Sequence, residues 1–115
     1  MDRGEGMRVV YRIWLDNKGK VFGEGPYRLL KGVEKLGSLH QAAVEMKMSY
    51  RKAWLTLKTC EERLGFMLLD RQTGGASGGG SRLTAKAKNF MKRYERFRGE
   101  TNKAIERIYR KHFAT

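Results

Sequence analysis

The chain has 115 residues and 13.3 kDa, with 25 Lys+Arg against 12 Asp+Glu, a formal net charge of +13 and a pI near 10.2. This length supports one core and excludes separate substrate and cofactor domains; with 40% hydrophobic and 10% aromatic residues it is a folded body rather than a disordered polycation, so the charge points to a polyanion, nucleic acid first and an anionic membrane surface second. Cys60 is the sole cysteine, which excludes an intrachain disulfide and fits a reducing cytosol; no apolar run approaches the ~18 residues of a membrane span, and the first six residues lack the apolar stretch of a signal peptide.

Residues 8–22, RVVYRIWLDNKGKVF, are rich in β-branched and aromatic side chains and alternate through Val9, Tyr11, Ile13 and Leu15 up to an Asp16-Asn17-Lys18-Gly19 break, which predicts a β-hairpin. Gly23-Glu24-Gly25-Pro26 stops the strand, and Pro26 suits the first turn of a helix whose buried face is Leu29, Leu30, Val33 and Leu36, ended by Gly37. Ser38 is a candidate N-cap for a short second helix with Leu39, Ala42, Ala43 and Met46 on its apolar face. A tight connection at Lys47 and Met48 leads to a second N-cap candidate, Ser49. The stripe Ala53, Leu57, Cys60, Leu64 then marks one core-facing helix that ends at Gly65.

Residues 66–71 and 81–83 read as short strands around the glycine-rich loop 73–80, a second hairpin. From Thr84 onward Ala87, Phe90, Tyr94, Phe97, Thr101, Ala104 and Ile108 recur at helical spacing, a stripe about 33 Å long that a domain of this size rarely covers alone. This stripe reads as core or as a dimer interface. Residues 71–115 carry twelve Lys/Arg and three Asp/Glu, so most of the cationic excess lies in the hairpin and this last helix.

The informative stretch is residues 38–57, SLHQAAVEMKMSYRKAWLTL: a short helix with paired alanines, a three-residue turn, then a longer basic helix. Small residues let a second helix cross closely and the turn fixes the crossing angle, which is what a helix-turn-helix requires. With the stripe inward, a rotation of ~100° per residue puts Arg51, Lys52, Leu55, Lys58 and Thr59 on the far side. Arg51, near the helix start, stands where a major-groove reader meets base edges. The bland alternative for Arg51, Lys52 and Lys58 is a solvated face. Tyr50 and Trp54, at i and i+4, are expected to pair against the core more than to enter a groove. Arg71 and Arg82 flank the glycine-rich tip, placed to bind phosphate oxygens or to sit in a minor groove as the arms of a wing.

Other chemistries fare poorly. The glycine run is followed by Ser81 rather than the lysine a P-loop needs; His40 and His112 lack partners at ligand spacing and read as surface residues; Cys60 belongs to the core stripe. Neither a triad nor a carboxylate pair stands out, so no enzyme activity, metal or cofactor is expected.

The runs GSLHQAAVEMKMSYRKAWLTL and LLDRQTGGASGGGSRLT resemble the N-terminal DNA-binding domain of the ModE family of molybdate-responsive transcriptional regulators and, more distantly, the head of LysR-type regulators; the leading RVVYRIWLDNKGKVFGEGPYRLL is similar as well. The likeness covers residues 8 to about 98, with Ser-Tyr-Arg-Lys-Ala-Trp at 49–54 and the Thr-Gly-Gly wing from Thr73 its most specific parts. It implies that residues 49–58, Ser49 and Tyr50 included, lie in the major groove of double-stranded DNA, that residues 74–82 touch backbone, and that the long last helix dimerises. Two departures stand out. The ModE family carries molybdate-binding domains that nothing in these residues supplies, so any oxyanion sensing is expected from a separate protein. Lys47 occupies a turn position where many helix-turn-helix units use glycine.

The expected fold is therefore α+β: one winged helix-turn-helix domain over 1–115, with an N-terminal hairpin at 8–22, the helix-turn-helix at 38–64, a wing at 66–83 and a dimerisation helix at 84–113. The expected function is a cytoplasmic, homodimeric, sequence-specific transcriptional regulator without a membrane partner. An architectural DNA-binding protein with little sequence preference, and a small RNA-binding protein, are the alternatives.

Overall fold

A computed structural model describes residues 6–71 and 80–113, the side chain of Arg71 excepted. The elements run β1 (Leu15–Asp16), β2 (Lys20–Phe22), α1 (Glu24–Leu36), α2 (Leu39–Glu45), α3 (Tyr50–Leu64), β3 (Leu69–Arg71), β4 (Ser81–Leu83) and α4 (Ala85–Phe113). Both sheets are two-stranded and antiparallel, β1 with β2 and β3 with β4. Two compact units divide the chain: residues 13–89, and a second formed by residues 1–12 with residues 90–115.

The helices start and stop where local chemistry predicts. Ser38 Oγ accepts the Gln41 amide at 3.2 Å and Ser49 Oγ accepts the Lys52 amide at 3.0 Å, each satisfying a donor that a helix N-terminus leaves open. Gly37 and Gly65 close α1 and α3 with left-handed backbone at φ 73° and 86°. Pro26 falls at the third residue of α1, because the helix begins at Glu24, two residues earlier than the proline alone suggests. Leu29, Leu30 and Val33 of α1, Leu39, Ala42 and Ala43 of α2, and Ala53, Leu57 and Cys60 of α3 are all buried, joined by Val21, Phe22, Leu69 and Leu83 from the strands and Leu68 just before β3.

One of the paired alanines also serves a second crossing, that of α1 with α2. A Cβ on Gly32 of α1 would lie 2.8 Å from Ala42 Cβ, so the close approach that Ala42 permits is between α1 and α2. The base of the second hairpin is a short antiparallel ladder tied to the helices. Its pairing sets Leu69, Asp70 and Arg71 opposite Leu83, Arg82 and Ser81. The Ser81 amide donates to the Gly37 carbonyl at 3.0 Å, tying β4 to the turn between α1 and α2. β3 covers only the last half of the expected strand at 66–71.

The first hairpin is much shorter than expected. The ladder joins Leu15 to Phe22 and Asp16 to Lys20 with an irregularity between, and residues 8–14 are not in a strand. The reason lies in the partner: β2 has three residues before Gly23, whose α-carbon is so close to the Trp14 ring that a Cβ there would sit 2.5 Å from Cε3, and α1 starts at the next residue. The alternation through Val9, Tyr11 and Ile13 has no strand to pair with among the described residues. Tyr11 instead donates its hydroxyl to Asn102 Oδ1 of α4, within the second unit.

In α4 the helix passes through Gly99 without a break, as its length requires. Ala87, Met91 and Tyr94 are buried, whereas Phe97 and Ile108 further along are 43% and 54% exposed. Met91 was not part of the predicted stripe; it takes the inward position beside Phe90, which is half-buried.

Candidate nucleic-acid interface

The first unit builds the candidate site from α2, the turn and α3. The turn is closed by backbone bonds from the Lys47 amide to the Val44 carbonyl and from the Met48 amide to the Ala43 carbonyl, both 3.0 Å. Closing it that tightly puts Lys47 at φ 56°, the left-handed region that costs a residue with a side chain about 1–2 kcal/mol. The geometry that glycine would adopt freely is thus imposed on a lysine by the surrounding helices.

With the stripe Ala53, Leu57, Cys60 buried, the opposite face of α3 is open. Arg51 and Lys52 are exposed in the first turn, Leu55 is 44% exposed one turn on, and Lys58 and Thr59 are half-buried at the flank and outer edge of the same face. Lys58 Nζ stands 5.9 Å from the centroid of the Trp54 ring, which is half-buried. Glu62 and Arg63 continue the exposed face toward the helix end.

Tyr50 departs from its expected place against the core. It is 47% exposed and stacks on His40 of α2, with ring centroids 5.7 Å apart and planes inclined by 29°. The first turn of a helix projects past the elements packed behind it, so a position that the 3.6-residue period assigns to the inner face is left outside. The ring pair bridges the two helices at the front of the unit and holds the phenol beside Arg51.

Ser49 has its hydroxyl committed to the Lys52 amide and is itself exposed. Arg82 is exposed on β4, directly across the ladder from Asp70. The backbone of Arg71 ends β3, but its side chain and the loop 72–79, the expected wing tip, lie outside the described residues.

Three anchors that the sequence reading missed position this face. Glu61 of α3 is 4% exposed, and its Oε2 accepts the amides of Leu68 at 2.8 Å and Leu69 at 3.3 Å. The end of α3 thereby fixes the start of the second hairpin. A signal was present, since Glu61 lies four residues after Leu57 on the inward side of the wheel. Thr84 Oγ1 donates to the Met67 carbonyl at 2.7 Å and accepts the Ala87 amide at 3.0 Å, so one hydroxyl both closes the wing and caps α4. Arg63 donates to the Lys20 carbonyl at 2.5 Å while Asn17 Nδ2 donates to the Arg63 carbonyl at 3.3 Å, which clamps the first hairpin to the end of α3. No pattern in the sequence links residues so far apart.

Cys60 lies in the core, and burial pushes its thiol from the ordinary 9.0 up to about 11, partly opposed by Arg63. A neutral, buried thiol behaves as a small apolar side chain. Among the described residues no group of three His, Cys, Asp or Glu is placed to hold a metal, and no helix is long and apolar enough to cross a membrane.

A capped basic helix set across a short one, followed by a two-stranded wing, is the arrangement of bacterial regulatory heads, and the family model described as "Bacterial regulatory helix-turn-helix protein, lysR family" matches residues 27–88. The chain belongs to this family. It is 41% identical over 68 residues to the transcriptional regulator ModE of Haemophilus influenzae, a match covering 59% of this chain and 27% of that protein. It is 30% identical over 102 residues to the molybdenum transport protein ModE of Azotobacter vinelandii, covering 88% and 38%. The resemblance to the ModE family is borne out by these relatives, of whose length the chain spans only about a quarter to two-fifths. Two solved structures share the fold. The CbnR DNA-binding domain in complex with DNA has a TM-score of 0.58 at 22% identity, covering 72% of this chain and 90% of that one. The BenM DNA-binding domain on benA site 1 DNA has a TM-score of 0.55 at 17% identity, covering 75% and 91%.

Proposed function

We propose that the chain is the DNA-binding part of a sequence-specific transcriptional regulator of the ModE type, acting on double-stranded DNA as a homodimer. One observation carries the reading: the first turn of α3, capped by Ser49, presents Tyr50, Arg51 and Lys52 outward with Leu55 behind them, while the same helix anchors the wing through Glu61. A helix end of this kind enters a major groove with its base-reading side chains leading. Arg51 reads a guanine edge, where a bidentate guanidinium makes the commonest specific contact, and Leu55 meets a thymine methyl. Lys58, Thr59, Arg71 and Arg82 bind phosphate oxygens beside the groove and under the wing. Phe97 and Ile108, apolar side chains left open along α4, support homodimerisation.

Selection of bound duplexes from a random pool tests the reading. A recurrent two-fold-symmetric motif is expected. On that motif Arg51→Ala costs about 1–3 kcal/mol and relaxes one base position, while Lys58→Ala weakens all sequences alike. An unchanged ratio of specific to non-specific binding in Arg51→Ala refutes the assignment. Affinity that falls steeply with salt on every duplex, with no motif recovered, favours an architectural protein instead. Running the selection with and without molybdate tests the tie to molybdenum that the relatives' names carry, including sensing by a separate chain.

A further inference from the structure

Beside α3, on the flank away from Trp54, lies a groove of about 750 Å³ within the first unit, between the recognition helix, the first hairpin and the start of α1. Its volume falls in the range of about 300–1,000 Å³ usual for small-molecule sites. The lining is largely apolar, with Val21 and Leu29, both almost fully buried, as its floor and Met46, Met48, Leu55 and Trp14 beside them. The charged side chains among the described lining residues are Lys20, Arg51, Lys52 and Arg63, and no carboxylate joins them.

The rim is fixed rather than loose. Lys20 Nζ rests 4.2 Å from the centroid of the Trp14 ring, and Arg63 is tied to the Lys20 carbonyl, so ring, ammonium and guanidinium are held together at the hairpin side. A phosphodiester backbone satisfies only the rim, since its oxygens find few donors on an apolar floor. An uncharged hydrocarbon satisfies only the floor. A flat apolar body with a single anionic group satisfies both.

We propose that this groove binds a small aromatic acid, its ring on the apolar floor and its carboxylate or sulfonate at the cationic rim that Lys20, Arg51, Lys52 and Arg63 line, and that the bound acid excludes DNA. The exclusion rests on the DNA-binding reading, because Arg51, Lys52, Leu55 and Thr59 belong both to the groove and to the proposed reading face. A ligand that engages these side chains and a duplex that engages them are mutually exclusive, and the affinity of each falls as the other is added.

The probe is 1-anilinonaphthalene-8-sulfonate, titrated into the whole chain and followed by its own fluorescence. Saturable binding of one probe per chain is expected, with 2-naphthoate displacing it and 2-naphthalenemethanol failing to do so. Two variants outside the proposed DNA contacts locate the site. Lys20→Ala removes a rim charge and weakens the probe about tenfold, the loss expected for one charge-assisted contact. Thr56→Trp fills the groove and abolishes saturable binding, with far-UV circular dichroism confirming that the variant keeps its helices. A short duplex added to the wild-type complex releases the probe.

Probe binding that ignores both variants, or that displays no saturation at one per chain, overturns the site; a groove occupied by a second copy of the chain gives that second result. A duplex that binds without releasing the probe overturns the exclusion. A chain that binds the probe at this groove and no duplex at any salt concentration upholds the site and refutes the DNA-binding reading, so the two failures are distinct.

Discussion

Replacing Glu61 with alanine isolates the link between α3 and the second hairpin. Oε2 accepts two buried amides, Leu68 at 2.8 Å and Leu69 at 3.3 Å, and both residues are core side chains with almost no exposure. Truncation leaves both donors without a partner in a region that water does not reach. An unsatisfied buried donor costs about 1–3 kcal/mol, the longer bond counting toward the low end. Relief from burying a carboxylate whose Oε1 has no partner offsets part of this. The net expectation is a loss of about 2–3 kcal/mol, which for a domain of this size lowers Tm by roughly 10 °C. Glu61→Gln keeps an oxygen where Oε2 stands and removes the charge, so it is expected within about 1 kcal/mol of wild type. Urea unfolding followed by circular dichroism, with the denaturant slope checked for constancy, reads both numbers. The reasoning fails if Glu61→Ala unfolds within about 0.5 kcal/mol of wild type, inside the range of ordinary surface substitutions, or if the glutamine variant is as damaged as the alanine.

The approach of α1 to α2 at Gly32 predicts that Gly32→Ala destabilises by about 1–3 kcal/mol, because its Cβ meets Ala42 Cβ at 2.8 Å; Ala42→Gly in the same chain should recover part of the loss, and a double-mutant cycle without coupling contradicts the contact. The raised thiol of Cys60 keeps its proton in the folded chain from the ordinary 9.0 up to about 11, while the unfolded chain loses it. Stability from this residue is therefore full below pH 9, and it falls as pH rises toward 11. Thermal unfolding of Cys60→Ala across that window should decline less than wild type, and equal slopes argue against a buried thiol. For the α4 face, Ile108→Glu together with Phe97→Arg should convert a dimer to a 13.3 kDa monomer in sedimentation; a wild-type chain that is monomeric with and without DNA removes the dimer.

Much of the site was legible locally. Ser38 and Ser49 are caps because a hydroxyl one residue before a helix can take up an open amide, and Gly37 and Gly65 end helices because only glycine reaches left-handed backbone without cost. The inward stripe of α3 follows from its period, and its opposite face from the same arithmetic. Tyr50 escaped this logic because a helical wheel has no ends, whereas a real first turn overhangs the core.

The sequence by itself therefore determined the four helices, the serine caps of α2 and α3, the glycine ends of α1 and α3 and the basic outer face of α3, since each depends on residues within one or two turns of one another. The three-dimensional packing alone decided the length of the first hairpin, where β2 runs out at Gly23 beneath Trp14 and leaves residues 8–14 unladdered. It likewise decided that Ala42 faces Gly32, that Arg63 clamps Lys20, and that Glu61 caps the strand that begins the wing. These are pairings between separate elements, and they exist only after the core has brought those elements together. Periodicity reports which side of a helix is apolar; it carries no information about which neighbour will cover that side or which buried amide will need an acceptor there.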